Sequence, residues 1–225
     1  MQSNLRKGLP ALALLASTLI AAPAQAAFVM TLDDPFDNFA AITIYDGTGS
    51  DLNGVNGVIT YSGSVGAFMV NVTTGISKPV IGPAQLDLNS INVSGAAGTL
   101  LVAISDTGFT GSYNNLGASY GGTTQGAVDL NFLQDSGNQE FGGSAFAGGN
   151  FISSAGNYAF SDDLVGTVTS GAPFSLSINT RITHDSAFEV TSFDAQITPV
   201  PLPATALLLG SALAGLATLR RARRT

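Results

Sequence analysis

Three groups of residues have types and spacings that could do chemistry. The first is Gly117-Ala118-Ser119-Tyr120-Gly121, which fits the G-x-S-x-G pattern of serine hydrolases. That pattern needs a strand before it and a helix after it, so that the serine projects from a strained elbow. Here polar, glycine-rich sequence flanks it on both sides, and a chain with 27 glycines meets such a pattern by chance. The second is His184, the single histidine, which any Ser–His mechanism or histidine-ligated zinc site would have to use. It ends an alternating run beside Asp185, the place of a partly exposed strand-end residue. Zinc needs three or four N or S ligands, and one histidine with no cysteine cannot supply them.

The third group is built of hard oxygen donors. Asp33, Asp34 and Asp37 cluster together, and the turn from Asp46 to Gly54 offers Asp46, Thr48, Ser50, Asp51 and Asn53. The turn is not an EF-hand, because Asp51 stands where the sixth-position glycine is due and no glutamate stands at position twelve. It matches part of one calcium β-roll repeat, a fold that needs several copies. Asp46, Asp51 and Asn53 are therefore the calcium candidates, and no other cofactor is expected. Catalytic residues are not expected either. A hydrolase or lyase acting on polysaccharide would need paired carboxylates, and nothing in the sequence brings Glu140, Asp162, Asp163 and Glu189 together. Tryptophan, the flattest partner for a sugar ring, is absent.

The elements that must position these groups lie between two terminal signals. Arg6 and Lys7 precede an apolar run from Leu9 to Ala22, and Ala24-Gln25-Ala26 supplies small residues for cleavage, so residues 1–26 read as a secretory signal peptide. At the other end, Ala204 to Leu219 is uncharged and is followed at once by Arg220, Arg221, Arg223 and Arg224. Sixteen helical residues cover about 24 Å, and the preceding Val200 to Pro203 bring the segment near bilayer thickness. The arginines place the tail in the cytoplasm and the main domain outside.

Residues 27–199 hold Lys78 and Arg181 against all 15 acidic residues, a net charge of −13. Such a domain is repelled by nucleic acid, which is excluded as a partner. All 13 phenylalanines fall in this segment, as the core of one exported domain without disulfides requires. Its clearest pattern is Phe174 to His184, where Phe174, Leu176 and Ile178 share one face of a strand. Similar runs are 41–45, 58–61, 67–72, 86–93, 100–105, 127–133, 157–160, 164–169 and 188–197. Turn signals such as Asp46-Gly47, Asn56-Gly57 and Ser170-Gly171 separate them. The pattern predicts an all-β antiparallel sandwich, jelly-roll or Ig-like, followed by a C-terminal transmembrane helix. The glycine-rich stretches 111–126 and 142–156 are expected as long surface loops or weak edge strands.

The stretch from Val200 to Arg224, with its block Val200-Pro201-Leu202-Pro203-Ala204, resembles the PEP-CTERM family of sorting signals in its VPLPA variant. Leu202 stands where a glutamate is commoner. The resemblance implies an exported envelope protein processed by an exosortase, in a host that makes extracellular polysaccharide. Asp87 to Ser94 and Ser105 to Gly111 look like parts of β-rich secreted domains that precede this signal. Leu202 to Ala206 also resembles the LPxTG signal of sortases, without its final glycine. What the resemblance implies is a non-enzymatic surface or biofilm-matrix protein, held in the membrane by its helix before processing. A polysaccharide hydrolase or lyase, or a calcium-dependent adhesion module, is the alternative.

Overall fold

The computed structural model describes residues 27–95, 97–152, 158–200, 208, 209 and 211–213. The signal peptide expected over residues 1–26, Pro201 to Ala204 of the expected sorting block, most of the expected membrane span and the arginine cluster lie outside them. Among the described residues, no helix is long and apolar enough to cross a membrane.

Twelve strands form two antiparallel six-stranded sheets: β1 (Phe28–Asp33), β2 (Ile42–Tyr45), β3 (Val58–Val65), β4 (Phe68–Ile76), β5 (Leu86–Gly95), β6 (Gly98–Phe109), β7 (Asn115–Thr124), β8 (Ala127–Asp135), β9 (Ser144–Ile152), β10 (Tyr158–Thr167), β11 (Phe174–His184) and β12 (Val190–Pro199). The first sheet has the order β2-β1-β6-β11-β8-β9 and the second β10-β7-β12-β5-β4-β3. From β5 to β8 each strand crosses to the opposite sheet, so every inner face is completed by chain distant in sequence.

Alternation decides which side chains meet between the sheets. Leu100, Val102 and Ile104 of β6, and Leu176, Ile178 and Ile182 of β11, point inward against Leu86 and Leu88 of β5 and Phe193, Ala195 and Ile197 of β12. Toward the β9–β10 side, Tyr120 stacks on Phe132 at 5.7 Å between ring centres, and Phe151 on Phe160 at 4.5 Å.

Two expectations need correction. Within the stretch 111–126, residues 115–124 are neither loop nor edge: they form β7, an interior strand between β10 and β12. Glycine there allows close approach, since a Cβ on Gly122 would collide with the Ser192 carbonyl and Phe193 on β12. Residues 158–160 and 164–167 of the runs 157–160 and 164–169 belong to one strand, β10, bridged through the polar residues Ser161 to Asp163. The stretch 142–156 does contain an edge strand, β9.

Candidate functional site

Ser119 lies in the middle of β7, with strand on both sides, so it has no elbow to project from. His184 ends β11 as the pattern predicts, but it is fully buried rather than partly exposed. Its Nε2 is 3.0 Å from the Thr191 hydroxyl, its Nδ1 has no partner, and its ring lies 5.8 Å from that of Phe68. Burial lowers its pKa, against the opposing charges of Glu189 and Asp185. Both nitrogens are used or enclosed, so His184 is a packing residue.

The Asp46–Gly54 turn is organised by its own backbone. Asp51 Oδ1 accepts from the amides of Asn53 and Thr60, at 2.8 and 3.0 Å. Asp46 Oδ2 accepts from Gly57, and Asn53 Oδ1 from Val55. Of these contacts only Asp51 to Thr60 reaches β3, the others lie within the loop, and Asp46 Oδ1 is buried without a partner. Among the described residues no group of three or more acidic or histidine side chains forms a metal cluster.

One of the domain's two cations is also committed to structure. The buried Asp106 carboxylate accepts from the Ser77 hydroxyl at 2.5 Å, the Lys78 ammonium at 2.6 Å and the Thr107 amide at 2.7 Å. Lys78 also donates to the Thr107 carbonyl and lies 4.1 Å from the centre of the Phe109 ring. This cluster pins the β4–β5 connection onto β6 of the opposite sheet. Arg181, by contrast, is exposed and forms no ion pair among the described residues.

Arg181 borders a groove of about 460 Å³ on the outer face of the first sheet. Register builds it: Thr31, Ala103, Asn179 and Asn131 form one row across β1, β6, β11 and β8, and Asp33, Leu101, Arg181 and Asp129 the next. Phe141, in the β8–β9 turn, forms a wall. Its amide donates to Ser105 Oγ at 3.0 Å, and the Ser175 hydroxyl donates to the Gln139 carbonyl at 2.6 Å, so serines on the sheet hold the turn down. Phe141 has φ 54°, a left-handed conformation unfavourable for an aromatic residue. Asn179 Oδ1 is buried with no partner.

The outer face of the second sheet carries an open groove of about 440 Å³. Asp163, Ser119, Gln196 and Asp87 stand in one row across β10, β7, β12 and β5, with Asp194 and Asn89 beside them. Burial first, and the Asp194 charge second, push the Asp87 carboxyl above its ordinary value. Of the four carboxylates considered from sequence, only Asp163 lines this groove, and its acidic companions Asp87 and Asp194 carried no sequence signal.

A third feature occupies one end of the sandwich. Asp33 pairs with Leu101, His184 with Gly98 and Phe68 with Gly95, so the loops 34–41 and 185–189, the end of β5 and the start of β6 share an end with the β3–β4 turn. They touch in sequence: Asp34 Oδ2 accepts from Ala67, Phe68 pairs with Gly95, and the Phe188 amide donates to Gly95. Phe36, Phe39 and Phe188 are 74%, 80% and 88% exposed on these loops. Phe188 also has φ 69°, so a bulky residue is both strained and left in water. The same loops carry Asp34, Asp37, Asp185 and Glu189, and no lysine or arginine. Ala27 and Pro199 lie at the opposite end, level with Thr107 and Leu116.

No protein-family model matches the chain, and no curated protein matches it. Among solved structures, 14% identity to the CBM22-1 xylan-binding domain of Paenibacillus barcinonensis Xyn10C spans 64% of this chain and 95% of that one, at a TM-score of 0.30. The BiXyn10A CBM1 module aligns at 12% identity over 64% of this chain and 96% of its own, at 0.28. The Arthrobacter globiformis T6 isomalto-dextranase complexed with panose aligns at 10% identity and 0.28, over 63% of this chain and only 23% of the enzyme. Its structural neighbours are thus carbohydrate-binding modules and a glycoside hydrolase, at a likeness too small to carry an argument about function.

Proposed function

We propose that the chain is an exported cell-envelope or matrix protein whose sandwich is a non-enzymatic module for extracellular polysaccharide. The carrying observation is the polarity of the domain: Ala27 and Pro199 lie at one end, and the exposed Phe36, Phe39 and Phe188 stand on loops at the other. A domain tethered through Pro199 and the segment beyond it presents that tip away from its anchor. Aromatic faces rimmed by carboxylates suit hydroxyl-rich, uncharged polymers, because the rings cover apolar sugar faces while the acids accept from hydroxyls. A net charge of −13 repels polyanions. The strand order of β5–β12 supports the jelly-roll form of the sandwich. Sorting through Val200 to Ala204 by an exosortase, with Ala204 to Leu219 spanning the membrane and Arg220, Arg221, Arg223 and Arg224 orienting it, completes the reading.

The test is fractionation of cells making the full chain. Wild type is expected in the envelope and polysaccharide fractions, and a Phe36→Ser/Phe39→Ser/Phe188→Gly variant is expected to leave the polysaccharide while staying processed. Pro201→Ala/Pro203→Ala is expected to keep the C-terminal peptide, seen by mass spectrometry. A tip variant that partitions like wild type overturns the binding role, and normal processing of the proline variant overturns the sorting role. One observation favours an enzyme instead: Asp87, with a raised pKa, stands beside Asp194 in an open groove. Release of reducing ends from polysaccharide, lost in Asp87→Asn and Asp194→Asn, would establish that reading.

A further inference from the structure

The groove on the first sheet meets the base of the 34–41 loop at Asp33 and Ala41, but none of the exposed phenylalanines Phe36, Phe39 and Phe188 lines it. We infer that it is a binding site for one uncharged pyranose unit of a polysaccharide chain, seated against Phe141 and hydrogen-bonded to Asn179 and Arg181. The inference rests on the polysaccharide reading above and adds to it a site and a ligand class.

Three observations converge. Phe141 is kept in a left-handed conformation that costs an aromatic residue about 1–2 kcal/mol, and serine hydroxyls of β6 and β11 hold its turn against the sheet. The result is a fixed aromatic wall beside a floor of Leu101 and Ala103, an apolar surface for one face of a ring. The polar groups are mixed in kind. Asn179 Oδ1 is a buried acceptor with no donor, Arg181 offers guanidinium donors with no ion pair among the described residues, and Asp33 is an acceptor. A hydroxyl both donates and accepts, so a ring carrying several of them satisfies all three. A carboxylate or phosphate could use Arg181 alone, and would bring negative charge to the unpartnered oxygen and to Asp33. The volume, about 460 Å³, is in the range of small-ligand sites.

The experiment uses the full-length chain in mild detergent, run in native gels cast with a soluble β-glucan, dextran, galactomannan or polygalacturonate. Short oligosaccharides of any retaining polymer are then titrated by calorimetry. At least one neutral polymer is expected to retain the protein, and polygalacturonate is not. Arg181→Gln, Asn179→Ala and Phe141→Gly are each expected to weaken oligosaccharide binding about tenfold or more. Phe141→Gly suits the left-handed backbone, so its melting temperature reports whether the fold survives. The Phe36→Ser/Phe39→Ser variant is expected to lower polymer retention, and a loss of oligosaccharide binding there as large as in the groove variants would place the oligosaccharide at the tip and overturn the site. Groove variants that bind like wild type overturn the site even if the tip variant loses the polymer, which leaves the broader reading standing. Preference for polygalacturonate overturns the ligand class, and retention by no neutral polymer overturns both.

Discussion

Lys78→Met should destabilise the sandwich more than any other single change to a surface-reaching side chain. The ammonium is one of three donors to an Asp106 carboxylate that is 1% exposed. Methionine keeps most of the aliphatic stem, so packing over Phe109 is largely retained while the charge is lost. Removing one partner of a fully buried ion pair costs about 3–5 kcal/mol, because the other charge is left uncompensated. Lys78 is 26% exposed, so water can approach the vacated side, and Ser77 and Thr107 still donate. The expected loss is therefore about 2–3 kcal/mol, the lower end of that range with a discount for solvent. For a domain of this size that corresponds to a fall of roughly 5–10 °C in Tm. Asp106→Asn removes the buried charge itself and should cost less, about 1–2 kcal/mol. The double variant should then fall short of the sum by about 1 kcal/mol or more, since the second change removes the charge that the first stranded. Urea denaturation of wild type, both single variants and the double variant supplies the cycle. Additive losses, or a Lys78→Met loss below about 1 kcal/mol, would refute the claim that this pair clamps the two sheets together.

Three further outcomes follow from the buried and strained groups. Burial lowers the pKa of His184, so below its ordinary value of 6.5 the unfolded chain takes up a proton that the native one refuses; stability is expected to fall as pH drops through that value, and His184→Gln should flatten the slope in thermal melts at pH 5–8. Asp87 has the opposite sign: its raised pKa means the native state holds a proton that the unfolded chain releases above 3.8, so stability falls as pH rises through that window and stays reduced above it. Asp87→Asn should therefore be the more stable protein at pH 7 and show no such gain below pH 3.8, as denaturation at the two pH values will show. Phe188→Gly removes a left-handed phenylalanine and should leave stability unchanged or raise it by up to about 1 kcal/mol, while retention in polysaccharide gels drops; a clear destabilisation would make Phe188 a folding residue.

Much of this architecture is legible in the sequence because it depends on local period and composition. Phe174, Leu176 and Ile178 announce the inner face of β11 two residues at a time, and the strand runs from 174 to 184 as the pattern predicts. The concentration of 15 acids and 13 phenylalanines between the terminal segments marks that stretch as one acidic, core-bearing domain before any fold is known. What the period of two cannot convey is which strand lies beside which. β7 is rich in glycine and lacks a strong apolar alternation, so it looks like loop; it is a strand because β10 and β12 supply partners on both sides. His184 looks like an exposed strand end, and is buried because Phe68 and Thr191 close over it. The groove has the same origin. Asp33, Leu101, Asn179 and Arg181 are separated by up to 148 positions and become neighbours only through the register of β1, β6 and β11. Residue chemistry and local alternation are properties of a segment, and the sequence by itself determines them. The neighbours of a strand depend on how distant segments bury one another's apolar faces, and that is decided only when the two sheets close.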